Sequence, residues 1–199
     1  MQAARGTSVG TPEGGADGHE APARSRSWLL FAGVALVAYA VDQLTKHWAV
    51  SELAGEPDVQ VVGELLQLHL TYNPGAAFSL GTDFTVALTC LAIVATFVVL
   101  WFSRRLGSAI WAIGLGLILA GIDGNLTDRL VRDPSPFRGH VIDFLMLPNW
   151  PVFNVADICI NVGAGLVILQ AFRGVQLDGS RAAKETDEKA DGVTDEEDA

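Results

Sequence analysis

The stretch AIWAIGLGLILAGIDGNLTDR, residues 109–129, decides the fold. It is apolar over its first two thirds and then carries Asp123, Asn125 and Asp128. A helix that crosses the hydrocarbon core of a bilayer needs about 20 predominantly apolar residues. Acidic side chains within such a helix are costly unless they face a protein interior or a water-filled cavity. The stretch therefore predicts a transmembrane helix whose polar end belongs to a helical bundle.

Three other stretches have a similar length and composition, namely Trp28–Val50, Phe84–Phe102 and Asn154–Phe172. Of the 199 residues, 50% are hydrophobic and only 18% are charged, whereas ordinary soluble domains carry about 25% charged residues. We therefore predict a membrane all-α protein with four transmembrane helices, formed by residues 28–173.

The distribution of arginine predicts the orientation of these spans, because Lys and Arg in short loops favour the cytoplasmic side. If the chain crosses four times, one side receives five arginines: Arg24, Arg26, Arg104, Arg105 and Arg173. On the other side, the long loop 51–83 contains neither Lys nor Arg. We expect both termini in the cytoplasm and the loops 51–83 and 130–153 outside. The polar ends of the first, third and fourth spans then meet at the outer face.

The two ends of the chain differ in composition from the membrane domain. Residues 1–27 are rich in Gly, Ala and Ser, and residues 174–199 are polar and rich in Asp and Glu. Neither contains periodic apolar residues that could bury enough surface to offset the entropy of ordering. We expect two disordered cytoplasmic tails, so the net charge of −10 mainly reflects a solvated acidic tail. The acidic balance and the lack of a basic patch predict no nucleic-acid partner.

The outer loops contain two strand signals. In Leu66–Tyr72 apolar residues alternate strictly with others, which is typical of a strand with one buried face. Asn73-Pro74-Gly75 follows, in which Pro and Gly supply the dihedral angles of a type II turn. A second β-prone stretch lies at His140–Leu145. We predict a small extracytoplasmic β-sheet that rests on the membrane.

Four acidic residues lie within the predicted spans: Asp42, Asp123, Asp128 and Asp157. On an ideal helix, Asn125 and Asp128 share one face of the third span. In the fourth span, Asn154, Asp157 and Asn161 form a second polar stripe. Because spans three and four are antiparallel, we expect Asp128 and Asp157 to approach each other at the outer surface.

Such a pair of carboxylates suggests a reaction. Two neighbouring carboxylates in a poorly hydrated place cannot both ionise comfortably, so one keeps a proton. In an aspartic protease the ionised partner takes a proton from water, while the protonated partner polarises the scissile carbonyl. The same residues also fit polar contacts between helices or the proton path of a small carrier. Spacing alone leaves these three roles open.

Other chemistries have less support. The sequence contains no His-Glu-x-x-His motif. Lys46 lies one turn after Asp42, so we interpret the two as an i,i+4 ion pair with a structural role. A serine peptidase that pairs Lys46 with Ser79 has no local support. Cys90 and Cys159 lie inside apolar runs, which predicts neither a disulfide nor a metal site.

At five segments the chain resembles the lipoprotein signal peptidase (signal peptidase II) family. In chain order these segments are Asp42–Lys46, Tyr72–Ser79, Gly124–Arg129, Gly139–Phe144 and Phe153–Asp157. They extend over most of residues 28–172, and their order around four spans makes the resemblance specific. Ile122-Asp123 departs from the small apolar pair that the family usually carries before Gly124.

The resemblance implies an aspartic endopeptidase that removes signal peptides from prolipoproteins by cleaving before the diacylglyceryl-modified cysteine. The catalytic aspartates of the family fall on Asp128 and Asp157. The residues that would hold substrate or support this pair are Asn73, Asn125, Arg129 and Asn154. Asp143 also matches the family pattern, and we expect it to have a structural role in the sheet. No metal or organic cofactor is implied.

The resemblance also implies a place and a set of partners. The enzyme would be a multi-pass protein of the bacterial plasma membrane, a target of the antibiotic globomycin, with diacylglyceryl-modified prolipoproteins as substrates. We expect a monomer whose other partner is membrane lipid. The alternative is a small carrier, which would place its acids near the bilayer midplane and often contains inverted repeats. The acids here cluster towards one face, and the sequence shows no internal repeat.

Overall fold

The computed structural model of the chain describes residues 21–75 and 83–181. Its elements in chain order are α1 (Ala21–Leu53), β1 (Val59–Val62), β2 (Leu66–Asn73), α2 (Asp83–Ser103), α3 (Ala109–Val131), β3 (Val141–Met146) and α4 (Val155–Phe172). Each helix contains a stretch that is long and apolar enough to cross a membrane. The four predicted spans are therefore confirmed.

Helix α3 lies at the centre of the bundle, since it packs against each of the other three helices. Two glycines permit this close packing. A Cβ atom on Gly121 would overlap the backbone of Ala156 in α4, and one on Gly124 would overlap the carboxylate of Asp42 in α1. Small residues let membrane helices approach closely. The polar end of α3 is thereby held against both α1 and α4.

The three strands form an antiparallel sheet in the order β1-β2-β3, as the alternating pattern predicted. Ala49 and Leu53 of α1 form one buried apolar cluster with Ile142 and Phe144 of β3. The sheet is therefore fixed to one end of the bundle. We call this the sheet end. The register pairs Thr71 of β2 with Asp143 of β3, which carries Asp143 over the bundle.

Helix α1 begins earlier than predicted, at Ala21 rather than at Trp28. Ser27, assigned from composition to a disordered tail, is buried, and its hydroxyl donates a hydrogen bond of 2.9 Å to the carbonyl oxygen of Gly107. This contact with the turn between α2 and α3 explains why the helix continues beyond the apolar stretch. The expected disorder of residues 1–20 concerns a segment outside the described residues.

The start of the acidic tail was also predicted incorrectly. Residues 174–181 form a turn that packs against the connection between α2 and α3. The carbonyl oxygen of Leu177 accepts hydrogen bonds from the backbone N–H groups of Gly107 and Ser108, at 2.9 and 3.2 Å. The Leu177 side chain packs against an apolar cluster of the bundle, and Nε1 of Trp111 donates a hydrogen bond of 3.0 Å to the carbonyl oxygen of Val175. These contacts hold the turn against the bundle. Residues 182–199 lie outside the described part of the chain.

Candidate active site

A cavity of about 720 Å³ opens at the sheet end. It is bounded by β2, by the loop that precedes α4 and by the first turns of α4. Its polar lining consists of Thr71, Asn73, Asp143, Asp157 and Asn161. Its apolar lining consists of Tyr72, Pro74, Trp150, Pro151, Val152, Phe153, Ile158 and Val162. The lining thus combines two carboxylates with several apolar side chains.

Asp157 is held in the first turn of α4 by a capping box. Its backbone N–H donates to Oδ1 of Asn154 at 3.0 Å, and its carboxylate accepts from the backbone N–H of Asn154 at 3.2 Å. The Nδ2 group of Asn125 in α3 donates a third bond of 3.0 Å to Oδ1 of Asp157. These bonds fix the position of the Asp157 carboxylate at the start of α4.

Asp143 lies in β3 beside Asp157 and is only 2% exposed. Its Oδ2 accepts a hydrogen bond of 2.8 Å from Asn73, and its Oδ1 accepts one of 2.7 Å from Asn154. Burial raises the pKa of Asp143 to about 6, and the negative charge of Asp157 adds to the rise. The two amide bonds and the charge of Lys46 oppose it. Asn154 therefore contacts both carboxylates, one of which readily keeps a proton.

The structure does not place Asp128 in this cavity, in contrast to the expectation from the helical pattern. Asp128 is fully buried, and its Oδ2 forms an ion pair of 2.8 Å with Nζ of Lys46. Its Oδ1 pairs with Nε of Arg132 at 2.5 Å, and the backbone N–H of Ile142 lies 3.4 Å from Oδ2. Asn125 and Asp128 thus have different neighbours although they share a face of α3. The Asn125 amide contacts α4, whereas the Asp128 carboxylate contacts α1 and the residue that ends α3.

The predicted ion pair between Asp42 and Lys46 is confirmed, with 2.9 Å between Oδ2 and Nζ. It belongs to a larger buried cluster, because Lys46 also contacts Asp128. Oδ1 of Asp42 accepts the backbone N–H of Ala156 at 2.8 Å. The ion pair thus joins α1, α3 and the start of α4. Spacing within α1 gave no indication of these partners in other helices.

Arg129 lies near the carboxylates without an ion pair of its own in the described residues. Its guanidinium is within electrostatic range of Asp143, Asp128 and Asp157. Its Nη1 atom is buried and has no hydrogen-bond partner among the residues that the structure describes. A buried donor that is left unpaired costs about 1–3 kcal/mol. A substrate oxygen that reaches this point would satisfy it.

Asp123 lies outside the cavity that Asp143 and Asp157 line. The hydroxyl of Thr96 in α2 donates a hydrogen bond of 2.7 Å to its Oδ1, so its partner comes from a neighbouring span. Asp123 lines a separate apolar cleft of about 490 Å³ between α1 and α3. The departure at Ile122-Asp123 is therefore remote from the cavity that holds Asp157.

Sequence reasoning undervalued Asp143, although a signal was present. The strand reads VIDFLM, and its first four residues are buried. An acid among buried apolar residues of a strand requires partners or a function. In the described residues, 21–75 and 83–181, no three His, Cys, Asp or Glu side chains are grouped as metal ligands.

Comparisons with known proteins place the chain in a family. A family profile described as signal peptidase (SPase) II matches residues 34–173. The lipoprotein signal peptidase of Leifsonia xyli subsp. xyli is 46% identical over 158 residues, which cover 79% of this chain and 73% of the relative. That of Streptomyces griseus is 41% identical over 175 residues, covering 86% and 89%.

Solved structures agree at the level of the fold. A bacterial membrane enzyme determined by the in meso method at 1.9 Å is 22% identical, with a TM-score of 0.64 over 75% of this chain and 94% of that one. A second such structure, at 2.3 Å, gives a TM-score of 0.61 over 74% and 88%. Because the profile spans most of the chain and both named relatives exceed 40% identity, the chain belongs to the signal peptidase II family.

Proposed function

We propose that Asp143 and Asp157 form the catalytic dyad of an aspartic endopeptidase that acts on prolipoproteins. Membership of the family supports peptide-bond hydrolysis in a prolipoprotein signal sequence. One observation supports the choice of residues: Asp143 and Asp157 both line the cavity and share Asn154 as a hydrogen-bond donor, whereas Asp128 is buried between two cations. The dyad assigned from sequence, Asp128 with Asp157, is thus revised in one member.

The surroundings of the two carboxylates assign their roles. Asp157, whose carboxylate accepts hydrogen bonds from Nδ2 of Asn125 and from the backbone N–H of Asn154, is the base that takes a proton from the attacking water. Asp143, whose pKa is raised to about 6 by burial, holds the proton that polarises the carbonyl oxygen. The water oxygen bonds to the carbonyl carbon, and the proton on Asp157 passes to the leaving nitrogen as the peptide bond breaks. Arg129 supplies positive charge beside the developing oxyanion.

The cavity lining suggests how a lipid-modified substrate binds. Ile158 and Val162 follow Asp157 along α4 and are 42% and 49% exposed, and Trp150 is 65% exposed. In a membrane protein such side chains face acyl chains. We infer that they receive the diacylglyceryl group of the modified cysteine, while Asn73 and the sheet side bind the extended peptide around the scissile bond.

The proposed topology completes this scheme. The sheet end, which carries the dyad, faces the outside of the plasma membrane, and both termini face the cytoplasm, as the arginine distribution predicts. The enzyme acts as a monomer, since one chain supplies both carboxylates and their supporting amides. A proton-coupled carrier is not favoured, because Asp143 and Asp157 converge at one end of the bundle.

Cleavage of a defined substrate tests the proposal. Purified protein in detergent is incubated with a diacylglyceryl-modified prolipoprotein, and release of the signal peptide is followed. The same prolipoprotein without the lipid is the control, and its cleavage should be much slower. Equal cleavage of both substrates would contradict the lipid-binding role, and no cleavage of either by folded protein would contradict the peptidase assignment.

A further inference from the structure

Lys46 is fully buried and does not line the cavity, yet it is connected to the dyad. Its ammonium group contacts three oxygen atoms: Oδ2 of Asp42 at 2.9 Å, Oδ2 of Asp128 at 2.8 Å and Oδ1 of Asn125 at 2.9 Å. An ammonium group has three N–H donors and no acceptor. All three donors are therefore used, and the third acts on an amide that itself contacts Asp157.

The ammonium dictates which way the amide of Asn125 points. Because Lys46 can only donate, Asn125 must present its oxygen to it. Asn154 Nδ2 approaches the same oxygen at 3.1 Å and reinforces this orientation. The Nδ2 group is then left to donate to Asp157 at 3.0 Å. A flipped amide would place its NH₂ against the ammonium and its carbonyl oxygen against the carboxylate, which are two repulsive contacts.

The charges of the cluster around Lys46 are balanced. Lys46 and Arg132 contribute two positive charges, and Asp42 and Asp128 contribute two negative charges. Such a cluster presents little net charge to the cavity. Besides the direct effect of its charge on Asp143, Lys46 acts on Asp157 by orientation, transmitted through the hydrogen bond to Asn125.

We propose that Lys46 is a positioning residue of the peptidase, which fixes the amide of Asn125 so that its NH₂ group stabilises ionised Asp157. This inference rests on the proposed dyad. Without Lys46 the Asn125 oxygen keeps Asn154 Nδ2 as its donor, so the amide is held less firmly. Its NH₂ group then donates to Asp157 less often beside a bound substrate. Substrate binding itself does not change, because Lys46 lies outside the cavity.

The test uses paired substitutions, because Lys46→Met alone leaves the negative charges of Asp42 and Asp128 facing each other. The variant K46M/D128N removes one charge of each sign and keeps the cluster balanced, and D128N alone is its matched control. Removal of one preorganised donor from an active site typically costs about 10²–10³ in kcat. We expect K46M/D128N to have a kcat about 100-fold below that of D128N, with KM changed less than about two-fold.

A third variant separates orientation from simple packing. K46Q/D128N restores an N–H donor without a charge, so we expect its kcat to exceed that of K46M/D128N, although methionine fills the apolar volume better. Equal kcat values for D128N and K46M/D128N would overturn the proposal. A change confined to KM would also overturn the proposal, because it would assign Lys46 to substrate binding. Loss of folded protein in both Lys46 variants would overturn it as well, because it would assign Lys46 to the fold alone.

Single variants of the dyad keep this test distinct from that of the proposed function. If D143N or D157N cleaves substrate at the rate of the unchanged protein, the dyad itself is wrong, whatever the Lys46 variants do. If both are inactive while K46M/D128N matches D128N, the dyad stands and only the positioning role of Lys46 fails.

Discussion

Asp128 and Asp143 lie near the same end of the bundle and are equally inaccessible, at 0% and 2% exposed. Their surroundings nevertheless differ in kind. Asp128 is held between two cations, Lys46 and Arg132, whereas Asp143 has two neutral amides as its direct partners. A carboxylate paired with two cations is part of an ion cluster, whereas one held by neutral amides beside another acid can exchange a proton. Burial alone therefore does not distinguish the two acids; the charge of their partners does.

The largest expected difference between the two regions is in catalysis. Asp143→Asn and Asp157→Asn should each lower kcat by about 10³-fold, because an amide can neither give nor take the transferred proton. Asp128→Asn should retain at least about a tenth of the activity, since the amide oxygen still accepts from Lys46 and is remote from the substrate. Signal-peptide release by the three folded variants, measured in parallel, checks this. An Asp128→Asn protein as inactive as Asp157→Asn would restore the pair inferred from the helical pattern.

The second difference concerns stability. Here we expect substitution of Asp128 to have the larger effect, whereas substitution of Asp143 has the larger effect on catalysis. Asp128→Ala removes the acid that pairs with both Lys46 and Arg132 and leaves Lys46 with Asp42 as its acidic partner. Breaking a buried ion pair in this way costs about 3–5 kcal/mol. Asp143→Ala removes an acceptor from two amides, for which about 1–3 kcal/mol is typical. Unfolding of both variants in the same detergent should therefore rank Asp128→Ala as the less stable. The opposite ranking would mean that the ion cluster contributes little to the fold.

The third difference is in protonation. The pKa of Asp143 is raised to about 6, so its carboxyl group should be protonated below that pH and should ionise as the pH rises through it. Infrared difference spectra should show the carbonyl band of a protonated carboxyl disappearing in this window. The band should be absent from Asp143→Asn and present in Asp128→Asn. A band that survives in Asp143→Asn would belong to another acid, and the raised pKa of Asp143 would then not support its role as the protonated member of the dyad.

The smallest effect is expected for a third acid, Asp123, which is half-buried and accepts its hydrogen bond from Thr96. An acid at the bilayer centre costs about 2.5–3.5 kcal/mol, and the bond from Thr96 offsets part of that cost. Asp123→Ala should keep activity within about two-fold, with stability unchanged or slightly raised. Thr96→Val is the matched control, because it removes the hydroxyl and retains the acid. A loss of activity in Asp123→Ala as deep as in Asp157→Asn would connect this cleft to the reaction.

Much of the fold could be predicted from the sequence because membrane spans are a matter of length and polarity. The sheet could also be predicted, since residues 66–72 alternate with a period of two. The boundary at residue 174 could not, because its order depends on Leu177 meeting a turn that is distant in sequence. A local sequence pattern predicts a helix or a strand well, but it does not predict which other segment that helix or strand contacts.

The same distinction explains the candidate site. Helical spacing correctly placed Asn125 towards α4, where its Nδ2 group contacts Asp157. It could not show that the same face of α3 turns its next polar residue, Asp128, towards α1. Nor could it show that the register of β2 with β3 brings Asp143 above the start of α4. Those two facts arise from pairing across long sequence separations.

The ion pair between Asp42 and Lys46 has a consequence for biosynthesis. Chains are made and inserted from the N-terminus, so α1 enters the bilayer before the ribosome has produced α3. During that interval neither Asp128 nor Asn125 exists to receive Lys46, and a bare ammonium group within a span is costly. Asp42 lies one turn away in the same helix, so it enters the bilayer together with Lys46 and serves as its counter-ion. The nascent first span is thus electrically neutral at this point until its permanent neighbours emerge.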